Sequence, residues 1–176
     1  MTIKKEICLI LLFLFASSCF SIDKEVTLVM IDGSQVSLMY PENAQTIVLF
    51  DSDLNNRQTK YIYGLGQFPY LRTLEFQSLA FLESYDFLSE LSSCEELYIN
   101  TGPFFDFRIL ENIRNLRKLE FRGYVTQKQL ERIKSEGIDI STLANLKEFI
   151  FSPVNTTIDV HIKISQYSDG LLVKLP

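Results

Sequence analysis

Apolar residues between positions 65 and 151 recur in four sets that share one internal spacing. Each set has an anchor, apolar residues nine, six and three positions before it, and one more apolar residue two positions after it. The anchors are Leu74, Leu97, Leu119 and Phe149, at intervals of 23, 22 and 30 residues. All 20 positions are apolar, which a chain with 47% apolar residues would achieve at preset positions about once in a few million trials, and about a hundred times more often when the register is chosen to fit. The body of the chain is therefore a sequence repeat.

The spacing within each set predicts two kinds of local structure. Positions three residues apart place side chains on one side of a tight helical or 3₁₀ turn. The anchor and the residue two positions later share one face of a short strand. Neither face can be buried by a single unit, so the units are expected to stack, with equivalent strands adjacent in a parallel sheet. The pattern thus favours an α/β fold.

Four segments carry the same hexapeptide spacing, L-x-x-L-x-L. They are residues 71–76, 94–99, 116–121 and 146–151, with Cys94 in the first position of the second segment. This spacing resembles the signature of leucine-rich-repeat proteins, over roughly residues 60–155. The resemblance implies a short solenoid with a parallel sheet on the concave face and short helices or 3₁₀ turns on the convex face. It also implies that the concave face binds another protein.

The segments that flank the repeat predict hairpins that would cap its two ends. Residues 26–31 and 35–40 flank Asp32, Gly33 and Ser34, a turn sequence, and residues 157–164 alternate before a second turn at 169–170 and a return strand at 171–175. Within the repeat, a weaker strand is expected at 46–50 and a helix at 126–136. We therefore expect a tether and hairpin cap over 19–43, the solenoid over 44–155 and a C-terminal hairpin cap over 156–176.

The N-terminus has the pattern of an export signal over residues 1–18. Lys4 and Lys5 precede ten uncharged apolar residues at 7–16, too few to span a bilayer as a helix, and small residues follow. Residues 16–19 resemble the lipobox of bacterial lipoproteins, which implies that Cys19 is lipidated and anchors the protein in the cell envelope. The alternative is ordinary cleavage nearby, which would release a soluble periplasmic or secreted protein.

Charge and residue content narrow the classes of function. The chain has 17 basic and 22 acidic residues and a net charge of −5, which argues against a nucleic-acid binder. His161 is the single histidine and is expected to face solvent, and Cys94 is expected to pack as a buried apolar residue. The sequence has no metal-ligand spacing and no cofactor motif. We therefore expect a non-catalytic protein without a cofactor.

The strand alternation predicts which side chains lie on the outward face of the sheet. These are the residues one before, one after and three after each anchor. The candidates for partner contact are Glu75, Gln77, Glu96, Tyr98, Asn100, Lys118, Glu120, Arg122 and Ile150. Tyr98 and Arg122 are residue types that often anchor protein interfaces, and Lys118 is expected to lie between Glu96 and Glu148.

Two functions of other classes remain open at this stage. The aromatic-rich core could enclose a small apolar ligand, so that the protein acts as a carrier. A hydrolase would need a pair of carboxylates, for which Glu75 and Glu120 are the candidates. Neither alternative has a sequence motif of its own, and protein recognition is the preferred hypothesis.

Overall fold

The computed structural model of the chain describes residues 22–50, 58–77, 79, 81–100, 107–153, 162–165 and 172–173. The predicted signal peptide, Cys19 and His161 lie outside these residues. Within the described part of the chain, no helix is both long and apolar enough to cross a membrane. The fold is α/β, with a parallel sheet, one α-helix and three short 3₁₀ helices in the described residues.

The strands form two larger sheets and one short pair. In chain order they are β1 (Asp23–Met30), β2 (Gln35–Pro41), β3 (Thr46–Phe50), β4 (Thr59–Tyr63), β5 (Thr73–Gln77), β6 (Glu96–Ile99), β7 (Lys118–Phe121), β8 (Ile138–Asp139), β9 (Glu148–Phe151), β10 (Ile162–Ser165) and β11 (Leu172–Val173). The six-stranded sheet has the order β10-β9-β7-β6-β5-β3, and its last five members are parallel. A three-stranded sheet has the order β2-β1-β4.

The parallel sheet places the sequence anchors side by side. Leu74 on β5 lies opposite Leu97 on β6, which lies opposite Leu119 on β7 and then Phe149 on β9. All four side chains are buried, because residues of one parity share one face of a strand. The weaker strand expected at 46–50 is β3, and its Ile47 continues the same row. The prediction of adjacent parallel strands is confirmed.

The residues before each anchor form the other side of the core. The 3₁₀ helices are Leu65–Gln67, Asp86–Glu90 and Phe107–Asn112. Leu65, Leu88 and Leu110, each nine residues before an anchor, are buried. A 3₁₀ helix brings every third residue to one side, so these short turns cover the inner face of the sheet with few residues.

The N-terminal hairpin and the predicted helix are both present. β1 and β2 pair antiparallel across a turn in which Gly33 has φ 81° and the Ser34 amide donates to Asp32 at 2.9 Å. The helix α1 (Gln127–Glu136) begins at Thr126, whose hydroxyl accepts from the Gln129 amide at 3.3 Å. In return the Gln129 side chain accepts from the Thr126 amide, which completes a capping box.

The strand β4 is absent from the sequence prediction. It pairs antiparallel with β1, with a register shift between Val29 and Met30. The shift interrupts the alternation of buried and exposed side chains along Thr59–Tyr63. Because regular alternation is the signal that reveals a half-buried strand, the sequence pattern conceals β4.

The described residues of the predicted C-terminal hairpin pair with earlier strands. Instead of pairing with each other, β10 pairs antiparallel with β9, and β11 pairs antiparallel with β8. The register places Ile162 opposite Phe151 and Ile164 opposite Phe149. An isolated two-stranded hairpin is marginally stable, whereas the edge of an existing sheet offers backbone partners already in position.

Candidate binding face

The outward side of the parallel sheet carries the candidate residues in two complete rows. We call this surface the outer face. One row is Glu75, Tyr98, Glu120 and Ile150, and the second is Thr73, Glu96, Lys118 and Glu148. Neighbouring strands are about 4.8 Å apart, so consecutive members of a row can contact each other. The structure therefore brings these residues onto one surface, as the repeat predicts.

A third row consists of the residues three positions after each anchor, which are Gln77, Asn100, Arg122 and Ser152. Beyond Gln77, this row lies just past the assigned ends of the strands. The backbone amide of Asn100 donates to the Phe76 carbonyl at 3.0 Å, and that of Arg122 donates to the Ile99 carbonyl at 2.6 Å. Ser152 donates in the same way to Phe121 at 2.9 Å. These bonds extend the parallel ladder by one residue and hold Asn100 and Arg122 on the outer face.

Tyr98 is fixed between an acidic and a basic neighbour. Its hydroxyl donates to the Glu96 carboxylate at 2.9 Å, and Lys118 Nζ lies 5.0 Å from its ring centroid. Lys118 Nζ also lies 3.4 Å from the Glu148 carboxylate. Lys118 thus lies between Glu96 and Glu148 in the register, as expected, and it ion-pairs with Glu148 while the Tyr98 hydroxyl bonds to Glu96.

The same contacts perturb the pKa values of both side chains. Burial raises the pKa of Tyr98, and the hydrogen bond that its hydroxyl donates to Glu96 acts in the same direction. Burial lowers the pKa of Lys118, but Tyr98 and the Glu148 carboxylate together outweigh it, and the net pKa is raised. Lys118 therefore keeps its positive charge, and Tyr98 keeps its proton, throughout the neutral range.

Glu75 is held by neutral donors. Asn100 Nδ2 donates to its carboxylate at 3.0 Å, and the Gln77 side-chain amide donates to the same oxygen. Among the described residues, no ion pair includes Glu75 or Glu96. The Glu75 carboxylate is thus bonded to neutral amides, and Glu96, although it lies opposite Lys118 in the register, is bonded to the Tyr98 hydroxyl.

Two candidates on the outer face are less accessible than the sequence implied. Glu120 is 7% exposed and Ile150 is 8% exposed. Arg122 Nε lies 2.5 Å from the Glu120 carboxylate, and Ile150 lies between Glu120 and Lys163 of the flanking strands. Glu120 is flanked by Tyr98 and Ile150, and β9, which carries Ile150, has a strand on each side. By contrast, the Arg122 side chain remains 56% exposed.

The charges of the outer face are unevenly distributed. Among the candidate residues, the two cations, Lys118 and Arg122, lie on or directly after β7, where they pair with Glu148 and Glu120. Glu75 and Glu96, on β5 and β6, have neutral partners. The β5–β6 half is therefore acidic, and Tyr98 stands beside it. This arrangement can accommodate a cationic group that also contacts an aromatic ring.

Cys94 is a buried structural residue, as predicted. It lies in the core beneath β6, and its thiol donates to the Glu96 carbonyl at 3.2 Å. Burial raises the pKa of the Cys94 thiol to about 12. Because the thiolate is the reactive form, this thiol is inert at neutral pH.

A surface pocket of about 250 Å³ lies between β4 and the 3₁₀ helix Asp86–Glu90, away from the outer face. Tyr61, Tyr63, Asp86 and Glu90 contribute to its lining. Sequence reasoning missed it because β4 was missed, and the paired tyrosines of β4 were the available signal. Its open, partly polar lining differs from the enclosed apolar cavity that the carrier hypothesis requires, so that hypothesis gains no support here.

The two carboxylates of the hydrolase hypothesis lie on non-adjacent strands. Tyr98 on β6 separates Glu75 from Glu120, and each carboxylate is engaged by its own donors. Within the described ranges, no three histidine, cysteine, aspartate or glutamate side chains are grouped so that they could hold a metal ion.

Comparison of the sequence with known proteins gave no match, either to a family model or to a curated protein.

Proposed function

We propose that this protein is a non-catalytic recognition module that binds a protein partner through the outer face. The observation that carries the proposal is the fixed position of Tyr98 and Arg122. Tyr98 is held by Glu96 and Lys118, and Arg122 is held by Glu120. Side chains already ordered before binding lose less conformational entropy when a partner arrives, so this face is suited to recognition.

The charge of the outer face indicates what a partner presents. The acidic half around Glu75 and Glu96 favours a basic residue, and the adjacent Tyr98 ring favours contact with a cation or an apolar side chain. Arg122, which is exposed, can receive a carboxylate. A protein segment with a lysine or arginine near an acidic residue would satisfy both halves of the face.

We further propose that the fold is a short leucine-rich-repeat solenoid. The in-register parallel strands, the aligned anchors and the 3₁₀ helices before β5, β6 and β7 support this assignment. On this proposal the outer face is the concave surface, which is the usual binding surface of that family.

The proposed location is the bacterial cell envelope, with a lipid on Cys19 as the membrane anchor. The charged start, short apolar segment and small residues of 1–18 support export. Metabolic labelling with a radioactive fatty acid tests the anchor, since the wild-type protein should be labelled and Cys19→Ala should not. Label on both proteins, or on neither, contradicts lipidation at Cys19, and a soluble exported protein is then the remaining form.

Photo-crosslinking in native cells tests the binding function. A photoreactive phenylalanine analogue at position 98 should crosslink to a defined partner, which mass spectrometry identifies. The double substitution Tyr98→Ala with Arg122→Ala should then weaken binding of that purified partner by about 100-fold, since each anchor contributes about 1–2 kcal/mol or more. The midpoint of thermal unfolding should change little.

The matched control is Tyr70→Ala with Arg72→Ala. Tyr70 is exposed and both residues precede β5, outside the outer face, so this variant removes the same residue types without touching the proposed site. Equal loss of binding in the two double variants, or no loss in the first, contradicts the proposed function.

A further inference from the structure

Among the strands that the structure describes, β2 (Gln35–Pro41) forms an open edge of the three-stranded sheet. Its sheet neighbour is β1, on one side. A strand with a single neighbour leaves half of its backbone amides and carbonyls pointing outward, where they can pair with another strand.

The hydrogen bonds at the two ends of the hairpin identify the outward groups. The Met30 amide donates to the Ser34 carbonyl at 2.8 Å, and the Glu42 amide donates to the Ile22 carbonyl at 2.9 Å. Hydrogen-bonded and non-hydrogen-bonded pairs alternate in an antiparallel ladder. The even-numbered residues of β2 therefore bond to β1, and the amides and carbonyls of Gln35, Ser37 and Met39 point away from it.

The other sheet edges near this strand are protected. The Lys60 carbonyl on β4 accepts from the Glu83 amide at 3.0 Å, and Lys60 itself carries a charge. On β3, the Val48 carbonyl accepts from the Tyr40 hydroxyl at 3.1 Å. Charges and side-chain caps of this kind normally prevent edge pairing.

In the described part of the chain, no charge or side-chain cap protects the edge of β2 in this way. No charged residue occurs from Gln35 to Pro41, and the strand is exposed at Gln35, Ser37 and Met39, with Met39 57% exposed. Pro41 has no amide hydrogen and its carbonyl already accepts from Ala44 at 2.8 Å. The region available for pairing is thus limited to residues 35–39.

We propose that β2 pairs antiparallel with β2 of a second copy of this chain, with a twofold axis at Ser37. In this register Ser37 lies opposite its own counterpart and Gln35 lies opposite Met39. All three outward amides and all three outward carbonyls of each strand are then paired. The two three-stranded sheets become one sheet with the order β4-β1-β2-β2-β1-β4.

Side chains and charge support a second copy as the occupant. The same register places Val36 opposite Leu38, and both already pack against the core, so their half-exposed parts meet across the axis. The Glu25 carboxylate on β1 accepts from Ser37 at 2.5 Å and from Thr27 at 3.0 Å. Two β2 strands separate it from its counterpart, and residues 35–39 carry no charge, so the paired segment itself places no like charges opposite each other.

Disulfide trapping tests both the pairing and its register. In full-length protein with Cys8→Ser and Cys19→Ser, Ser37→Cys should give a crosslinked dimer, because hydrogen-bonded pairs have Cα atoms about 5.5 Å apart, within the range of a disulfide. The control Gln35→Cys should give no crosslinked dimer by itself, since Gln35 lies opposite Met39 of the second copy, four residues away from the second copy's own position 35. Gln35→Cys combined with Met39→Cys should crosslink again. Equal crosslinking of the two single variants overturns the proposed register.

Analytical ultracentrifugation tests the dimer without crosslinks. The chain with Cys19→Ser, which cannot carry the proposed lipid, should shift from monomer to dimer as its concentration rises from about 1 to about 200 µM. Ser37→Lys places two ammonium groups at the twofold axis and should abolish the dimer with an unchanged circular dichroism spectrum, whereas Ser37→Thr should retain it. A monomer throughout this range, or a dimer that survives Ser37→Lys, overturns the proposal.

Hydrogen exchange distinguishes a second copy from other occupants. Exchange at the Ser37 and Met39 amides should slow at least about tenfold as the protein concentration rises through the dimer transition. Slow exchange at these amides in the dilute monomer would mean that another segment of the same chain covers the edge, and that result overturns the proposal.

Discussion

At the residue scale, contacts that the sequence cannot show decide the character of the outer face. Alternation along the strands identified Tyr98, Lys118 and Glu96 as neighbours, but it does not say whether Glu96 accepts from the Tyr98 hydroxyl or from the Lys118 ammonium group. The Tyr98 hydroxyl and Lys118 ammonium compete for Glu96, and the structure assigns the hydroxyl to it. Lys118 is then left to Glu148 and the Tyr98 ring. The acidity of the β5–β6 half follows from this choice.

Cys94 provides a prediction at the same scale, in the dependence of stability on pH. Its pKa is about 12 in the folded protein and about 8.5 in an unfolded chain. Between these values the unfolded chain releases the thiol proton and the folded protein keeps it. The free energy of unfolding should therefore fall as pH rises above about 8.5, by up to about 1.4 kcal/mol per pH unit from this group.

Urea unfolding of wild type and Cys94→Ala at pH 7, 8.5 and 10 checks this prediction. The alanine variant should be less stable at every pH because it loses buried volume. The quantity to compare is therefore the change in the free energy of unfolding per pH unit. The slope should be smaller in Cys94→Ala. Identical slopes for the two proteins would contradict the proposed burial effect on the thiol.

At the element scale, local sequence patterns identified strands and helices more reliably than they identified which strands pair with each other. Asp32, Gly33 and Ser34 marked the hairpin turn, and Thr126 marked the start of α1, because turns and helix caps depend on neighbouring residues. The strand β4 was missed because a register shift interrupts its alternation. The alternating segment after residue 156 was correctly expected to contain a strand, now β10, but its described residues pair with β9 rather than with β11.

The helix cap at Thr126 gives a prediction at this scale. Thr126→Ala removes the oxygen that accepts from the Gln129 amide and should lower the free energy of unfolding by about 1 kcal/mol. Chemical denaturation measures the change. The matched control is Thr126→Ser, which keeps a hydroxyl and should lose little. Equal losses in the two variants would mean that the methyl group of Thr126, rather than its hydroxyl, is what stabilises the protein.

At the scale of the whole molecule, the order of the strands follows from stacking of equivalent units. Leu74, Leu97, Leu119 and Phe149 are buried side by side, and each fully buried leucine or phenylalanine contributes about 1.5–3 kcal/mol. A shift of one residue between any two strands would turn these side chains to the outer face. The register is therefore strongly specified by the apolar pattern.

The protection of β9 by β10 gives a prediction for the whole sheet. Deletion of residues 160–176 removes β10 and β11, which leaves the β9 edge, with Phe149 and Phe151, unpaired. We expect a lower midpoint of thermal unfolding and aggregation on storage, since open apolar edges associate. Differential scanning calorimetry and light scattering measure the two effects. Deletion of 174–176 alone should be nearly neutral, and a 1–159 chain as stable and as free of aggregates as wild type would contradict the assigned role of β10.

The sequence by itself determined the repeat, the parity of its strand residues, the hairpin β1–β2 and the helix α1. These features depend on spacing along the chain, because apolar residues at a fixed interval lie on the same face of a strand or helix and are buried together. The tertiary structure decided the partners of β4, β10 and β11, the burial of Glu120 and Ile150 and the hydrogen bonds of Glu75 and Glu96. These features depend on contacts between segments that are distant in the sequence: which strand pairs with a sheet edge, which side chains bury a residue and which donor bonds to a carboxylate. Spacing along the chain does not specify those contacts.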